Sequence, residues 1–264
     1  MTTTLYKYFP TDADKLERFI NCQVYLTPPK YFNDPWDFRP RSEPPTHEQI
    51  QQIVKETGAK LSSHGLRDFH KEVNGPNYLE DEAQEQQNGL SELVGLVCLT
   101  EKHLDRLMWS HYGDSHRGFV AEFRCTEFEY TEGDAQAFST CLSPFGRTGA
   151  MKVQYLPEQP VRKHDGSNLK EVFWTKHDVW RYEQEWRIVE DLRKADPHPK
   201  REGFFLLWFK PTDLVRVIVG LKVCQEVKFQ LRQMLNHREF DHVCKEQACI
   251  NPGSRELDTR PLSW

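Results

Sequence analysis

Short apolar or alternating runs, more often than runs at helical spacing, carry the hydrophobic residues of this chain, and they predict a succession of strands broken by a few helices. Leu5-Tyr-Lys-Tyr-Phe9 predicts a strand. After Pro10, the segment Thr11 to Asn21 sets Leu16, Phe19 and Ile20 at helical spacing behind acidic first-turn residues. Gln23-Val-Tyr-Leu-Thr27 predicts a second strand, which Pro28-Pro29 ends. Residues 43–92 are rich in Glu, Gln, His and Asn with sparse apolar positions; they predict one or two surface helices, loosely joined around Asn74-Gly75-Pro76-Asn77, as an insertion or cap. Leu93 to Thr100 is a near-continuous apolar run that predicts a buried strand, followed by a short helix over Asp105 to Tyr112 and a strand over Gly118 to Phe123. Gly133 to Ala150 predicts a loop, Met151 to Leu156 a strand, and Asn168 to Arg181 a helix. Trp186 to Val189, Phe204 to Phe209 and Leu214 to Val219 predict three more strands, and Val223 to Asn236 an amphipathic helix with Val227, Leu231 and Leu235 four apart. Phe240 to Cys244 and Arg255 to Pro261 predict a short strand and a tail.

Neighbouring strands and intervening helices mix without regular alternation, so the expected class is α+β: a mixed, largely antiparallel sheet core with peripheral helices. At 264 residues without a visible repeat, the chain is expected to form a single domain over 1–264. Apolar stretches such as Phe204 to Phe209 fall far short of the roughly 20 residues of a membrane span, and no basic-then-apolar leader opens the chain. A cytoplasmic protein is expected. Seven cysteines, an odd number with no Cys-x-x-Cys pair, predict buried thiols and not a disulfide scaffold or zinc site. The net charge of -5 argues against a broad surface for duplex nucleic acid. Gly-x-Gly-x-x-Gly, Gly-Lys-Ser/Thr and Gly-x-Ser-x-Gly motifs are missing, which removes support for the common nucleotide and hydrolase folds.

Three islands concentrate the chemistry: Tyr31-Phe-Asn-Asp-Pro-Trp-Asp37, Met108-Trp-Ser-His-Tyr112 and Trp180-Arg-Tyr-Glu-Gln-Glu-Trp-Arg187. Aromatic bodies exclude water while the carboxylates, amides and imidazole beside them keep charge or hydrogen bonds, a composition shared by sites and by polar-tipped cores. In the first island, Asn33 and Asp34 either cap a Pro-containing turn or face a ligand with Trp36 as a wall. In the second, Met108 and Tyr112 share a helical face, and His111 orients a carboxylate, bonds the Asn-Asp-Pro loop or sits satisfied in the core. His111 and His116 have the wrong spacing for a helical metal pair, and no metal is expected. In the third, Glu183 and Glu185 at the start of a strand are expected to project to one side. Two like charges so close raise one pKa or demand a cation, and Arg181 and Arg187 are at hand; an ion-paired strand edge, Glu185 with Arg187, is the structural alternative.

Leu5-Tyr-Lys-Tyr, Tyr31-Phe-Asn-Asp-Pro-Trp-Asp, Met108-Trp-Ser-His-Tyr, His116-Arg-Gly-Phe and Tyr182-Glu-Gln-Glu-Trp-Arg follow one another in an order that resembles, nearly end to end, a widespread bacterial domain family of unknown function. The chain is also similar to mono-ADP-ribosyltransferases, which carry a Tyr-Arg or His on the first strand, a Ser-Thr-Ser strand and a Glu/Gln-x-Glu motif at a later strand. Tyr6-Lys7, Leu99-Thr100 and Glu183-Gln184-Glu185 stand at those places, with Lys7 where Arg or His is usual and Thr100 alone of the Ser-Thr-Ser. That resemblance implies NAD as substrate and transfer of ADP-ribose to an unidentified acceptor, in a toxin or phage-defence effector. It implies that Glu185 stabilises the oxocarbenium-like centre, that Glu183 orients or deprotonates the acceptor, that Lys7 neutralises the pyrophosphate, and that Tyr6, Tyr8 or Trp109 stacks on nicotinamide or the acceptor. With His111 as a third catalytic candidate, and Asn33, Asp34 and Thr100 beside NAD, these residues form the expected site. A non-catalytic groove for a peptide or single-stranded nucleic acid, and a hydrolase of sugars or nucleotides using the paired carboxylates, are the alternatives.

Overall fold

The computed structural model describes residues 2–39, 41, 46–57, 65, 75, 77–127, 149–161 and 169–264. Eight strands build one curled sheet: β1 (Thr2–Phe9), β3 (Val94–Thr100), β4 (Phe119–Thr126), β5 (Met151–Lys152), β8 (Glu185–Asp191), β11 (Leu214–Val219), β12 (Cys244–Ile250) and β13 (Leu257–Pro261). Their order across the sheet is β13-β12-β11-β4-β1-β3-β8-β5, antiparallel at every pairing except β11 with β12. A three-stranded sheet joins β2 (Gln23–Leu26), β10 (Phe205–Trp208) and β9 (Asp196–Pro197), and a parallel pair joins β6 (Gln154–Leu156) to β7 (Thr175–His177). The helices are α1 (Ala13–Ile20), α2 (His47–Thr57), α3 (Tyr78–Leu93), α4 (Arg106–His111), α5 (Leu169–Trp174) and α6 (Gln225–Leu235). The molecule is thus α+β around a mixed, mostly antiparallel sheet.

Alternation along β1 sends Leu5 and Phe9 to one face and Tyr6 and Tyr8 to the other. On the first face Phe9 stacks on Phe119 at 4.7 Å between centroids, and Phe19 of α1 meets both rings at 4.9 Å. Leu16 of α1 and Val227, Leu231 and Leu235 of α6 close this core, each buried side chain contributing roughly 1.5–3 kcal/mol. On the second face Tyr8, Val120 and Ile218 pack under Met108 and Trp109 of α4.

One irregularity positions the site. β1 pairs with β4 along its whole length, from Thr2 opposite Thr126 to Phe9 opposite Phe119, but meets β3 only at Tyr6 opposite Thr100. β3 is held instead by β8, from Val94 opposite Asp191 to Thr100 opposite Glu185. Its far end also turns toward the chain after β2, where the Leu96 amide donates to Thr27 O at 3.0 Å and the Thr27 amide to Leu96 O at 2.9 Å. Main-chain groups that β1 does not satisfy are satisfied there, and the sheet splits between β1 and β3.

Several elements differ from expectation. In place of one helix over Asn168 to Arg181, α5 ends at Trp174, β7 follows, and a 3-10 turn runs over Asp178–Glu183. Pairing of 175–177 with β6 and the burial of Lys176 among carboxylates outweigh helical continuation. The strand expected over Met151 to Leu156 is divided into β5, on β8, and β6, on β7, with the Val153 amide between them donating to Glu185 O at 2.9 Å. The segment Phe240 to Cys244 is a 3-10 turn and connection, and the strand begins where it ends, as β12. Most of the loop expected over Gly133 to Ala150 lies outside the described residues, as do Asn74 and Pro76. Of the six described cysteines, all free, Cys125 is buried while Cys224 and Cys244 are exposed, so burial is not their common property.

Candidate functional site

The split between β1 and β3 holds a pocket of about 530 Å³. Tyr6, Lys7 and Tyr8 line it from β1, Thr100 from β3, Asn33 from the loop after β2, His111 from α4, Glu183 from the 3-10 turn before β8, and Glu185 from the start of β8. Its volume lies within the roughly 300–1,000 Å³ of small-molecule sites.

Beneath the pocket is a buried cluster of five charges. Arg187, fully buried, donates from Nε to Glu185 Oε1 at 2.7 Å, from Nη2 to Asp37 Oδ2 at 2.6 Å and from Nη1 to Phe173 O at 2.8 Å. Lys176 Nζ donates to Glu183 Oε2 at 2.7 Å and Glu185 Oε2 at 3.0 Å, and lies 3.8 Å from Asp37 Oδ2. Tyr112 OH donates to Glu183 Oε1 at 2.5 Å and accepts from Asn33 Nδ2 at 3.2 Å. Thr100 Oγ1 donates to Glu183 O and accepts from the Lys102 amide at 3.0 Å, which ties the turn before β8 to the end of β3.

The electrostatics separate the carboxylates. Burial works against the Glu185 anion, but Arg187 and Lys176 overcome it and hold its pKa down to about 2. Burial raises the Glu183 pKa, with Lys176 opposing and the Glu185 charge adding to the rise. Asp37 is pushed up to about 6 by burial despite Arg187 and Lys176. Lys176 remains a cation, because Glu185, Asp37 and Glu183 outweigh its desolvation and raise its pKa. Two neighbouring carboxylates whose pKa values are shifted in opposite directions suit a strongly acidic, ionised stabiliser beside a more basic proton acceptor.

The structure brings together Tyr6, Lys7, Tyr8, Asn33, Thr100, His111, Glu183 and Glu185, and leaves out Asp34 and Trp109. Asp34 is buried and accepts from the Trp36 amide at 3.0 Å, the turn chemistry of an Asx motif, while Trp36 is 68% exposed and forms no wall. Trp109 is fully buried between Tyr8 and His116, and its Nε1 donates to His103 O at 2.8 Å, so it anchors α4 and has no free face for a ligand. Tyr6 lines the pocket, but its ring stacks on His103 at 4.6 Å. His111 is exposed beside Tyr112 and Tyr182, and the bond to the Asn33 loop comes from Tyr112. Glu183 and Glu185 share Lys176 through a route other than strand alternation: Glu183 ends the 3-10 turn and Gln184 adopts a left-handed conformation, φ 43° and ψ 53°, before β8 begins. Glu185 pairs with Arg187, but in a strand flanked by β3 and β5 and not at an edge.

Sequence reasoning missed Asp37, Lys176, Tyr112, Tyr155 and Lys15. Tyr155 OH accepts from the Glu185 amide at 2.8 Å. Asp37 belongs to the first island, where its place between Trp36 and Phe38 is the signal that could have marked it; nothing local marks Lys176, whose partners are set by folding. Among the described residues no group of three or more His, Cys, Asp or Glu is placed to hold a metal ion.

The two islands that supply His111, Tyr112, Glu183 and Glu185 lie inside a single matched segment. Residues 108–188 match the family described as Protein of unknown function (DUF2971). This segment carries most of α4, all of β4 and most of the charged cluster, whereas Tyr6, Lys7, Asn33 and Asp37 come from outside it. No curated protein and no solved structure matches the chain.

Proposed function

We propose that the pocket is the active site of an ADP-ribosyltransferase-like enzyme that consumes NAD. The observation that carries the reading is the convergence of Tyr6 and Lys7 of β1, Thr100 of β3, Glu185 of β8 and Glu183 of the turn before it on one pocket where β1 and β3 part. These segments are far apart in sequence, and their strands are neighbours in the sheet.

In this reading the C1′–N1 bond of the nicotinamide riboside breaks, nicotinamide leaves with the electron pair, and the acceptor nucleophile forms the new bond to C1′. The acceptor's proton passes to Glu183, whose raised pKa equips it to take one. Glu185 stays ionised, and its negative charge opposes the positive charge that develops at C1′. Because Arg187 and Lys176 occupy both its oxygens, Glu185 acts through its field more than through a hydrogen bond to the ribose. The acceptor, and a role in conflict with phage or rival cells, go with the same proposal.

The test is nicotinamide release from NAD by the purified protein, alone and with protein, nucleic-acid and small-molecule acceptors. Glu185→Gln is expected to slow release by about 100-fold or more, the scale of losing one preorganised electrostatic group. A wild type that never releases nicotinamide, or a folded variant that turns over normally, overturns the reading.

A further inference from the structure

Glu183 stands as the base of the proposed reaction, yet both its oxygens already hold a donor and its side chain is only 4% exposed. Oε1 accepts from Tyr112 OH at 2.5 Å, and Oε2 accepts from Lys176 Nζ at 2.7 Å. Lys176 keeps its proton, because the carboxylates around it raise its pKa. A donor chain toward the pocket is in place on the Tyr112 side. Tyr112, Asn33 and Glu183 all line the pocket, and the Tyr112 hydroxyl lies between the other two, accepting from Asn33 Nδ2 at 3.2 Å while it donates to Glu183. A phenolic oxygen has one donor and two acceptor sites. Asn33 fills one acceptor site and leaves the second for a ligand.

We propose that Tyr112 is the proton relay of the site: the acceptor gives its proton to the Tyr112 oxygen while the Tyr112 hydroxyl gives its own to Glu183 Oε1. The acceptor's bond to hydrogen and the old phenolic O–H bond break, and a new phenolic O–H and a carboxyl O–H form. The electron pair left on the acceptor atom forms the bond to C1′, as nicotinamide leaves with the pair of the C1′–N1 bond. Tyr112 ends as a neutral phenol, and the net change is one proton moved from acceptor to Glu183. The charge of the cluster favours that transfer. Asp37, Glu183 and Glu185 set three carboxylates against two cations, Lys176 and Arg187, so a proton on Glu183 leaves the cluster neutral, and Lys176 retains Glu185 and Asp37 as counter-charges. Burial and the Glu183 charge keep the phenol protonated, so Tyr112 hands a proton on and does not store its charge. The Asn33 N–H stabilises the partial negative charge on the phenolic oxygen during the exchange. The inference rests on the NAD reading, and adds to it a residue that the resemblance does not supply.

Single-turnover nicotinamide release in mixtures of light and heavy water tests it, with water as acceptor and with the acceptor that gives the fastest release. A relay moves a pair of protons in one step and bows the plot of rate against deuterium fraction, whereas transfer of one proton gives a straight line. Tyr112→Phe keeps the ring beside His111 and removes the hydroxyl alone. It is expected to slow release by about 100-fold, the scale of lost general acid–base catalysis, and to turn the bowed plot of wild type into a straight one. Asn33→Ala spares the bond between Tyr112 and Glu183, and is expected to slow release about fivefold, the scale of one lost neutral hydrogen bond, with the bow kept. Tyr182→Phe removes a phenol that does not line the pocket and is expected to match wild type. A straight plot in wild type, a bowed plot or normal turnover in Tyr112→Phe, or equal slowing by Tyr182→Phe overturns the relay and leaves the NAD reading standing. A wild type that never releases nicotinamide overturns the NAD reading and the relay with it. If thermal melts show that Tyr112→Phe is unfolded in the assay, the wild-type plot and Asn33→Ala decide.

Discussion

Arg187 decides the character of the site at the scale of single residues. A fully buried guanidinium is tolerated because Glu185, Asp37 and Phe173 O saturate it, and the same saturation fixes where both carboxylates stand. Glu185 therefore has a structural role beside its proposed electrostatic one, and the two roles separate by pH. Its folded pKa of about 2 lies below the ordinary 4.5, so its contribution to stability is present above that ordinary value and is lost as pH falls through about 2. Asp37 has the opposite sign: raised from 3.8 to about 6, its ionisation weakens the fold as pH rises across that interval. Urea unfolding between about pH 5 and about pH 2.5 is expected to show a steep loss of stability in wild type and a shallower one in Glu185→Gln. Identical slopes in the two proteins would remove Glu185 as a source of acid lability. The sequence showed that two glutamates needed a cation and that Arg187 was available; Lys176 and Asp37 answer the same demand from positions no local pattern indicates.

At the scale of elements, short structures carry the site and caps hold them. α4 spans six residues, too few to stand by its own propensity. It is kept by Trp109 in the core below it and by Asp105, whose Oδ1 accepts from the Leu107 amide at 2.8 Å and the Met108 amide at 3.0 Å. Asp105→Ala is expected to cost about 1 kcal/mol, measured by urea unfolding, as for other lost N-caps. Since Tyr112 follows this helix directly, the same variant is expected to weaken the Tyr112 bond to Glu183, seen as a shifted Glu183 carboxyl titration by NMR. An unchanged unfolding midpoint would show that Trp109 alone seats the helix. The long apolar runs, β3 and β11 among them, were legible because a strand in the middle of a sheet needs an apolar side chain on nearly every position. The stretch from Leu169 to Glu183 was not, because its three short elements are shaped by what they touch: β6, the carboxylate cluster and the end of β3.

The whole molecule ties its peripheral helices to the site unequally. α3 hands Gln87 Nε2 to Asp37 O at 2.9 Å and accepts the Lys30 amide on Ser91 Oγ at 2.9 Å, so it braces the loop that carries Asn33 and Asp37. α2 buries Ile50. Hydrogen exchange is expected to rank β3 slowest, α3 intermediate and α2 fastest, because opening of a peripheral helix does not require the sheet to open. Protection in α2 equal to that in β3 would contradict this order. The sequence by itself determined the α+β class, the strands β1, β3, β4, β8 and β11 of the sheet and the three polar-aromatic islands, because periodicity and turn residues act over a few neighbours. It also showed Glu183 and Glu185 as a coupled pair. Only the tertiary structure decided which side chains share the pocket. Strand order set Tyr6 against Thr100 and Thr100 against Glu185, the divergence of β1 from β3 opened the space, and burial chose Lys176, Asp37 and Tyr112 as partners while sending Trp109 to the core. Contacts across 71 to 150 residues of chain, such as Tyr112 to Glu183 and Arg187 to Asp37, depend on topology, and topology has no signature within a local window.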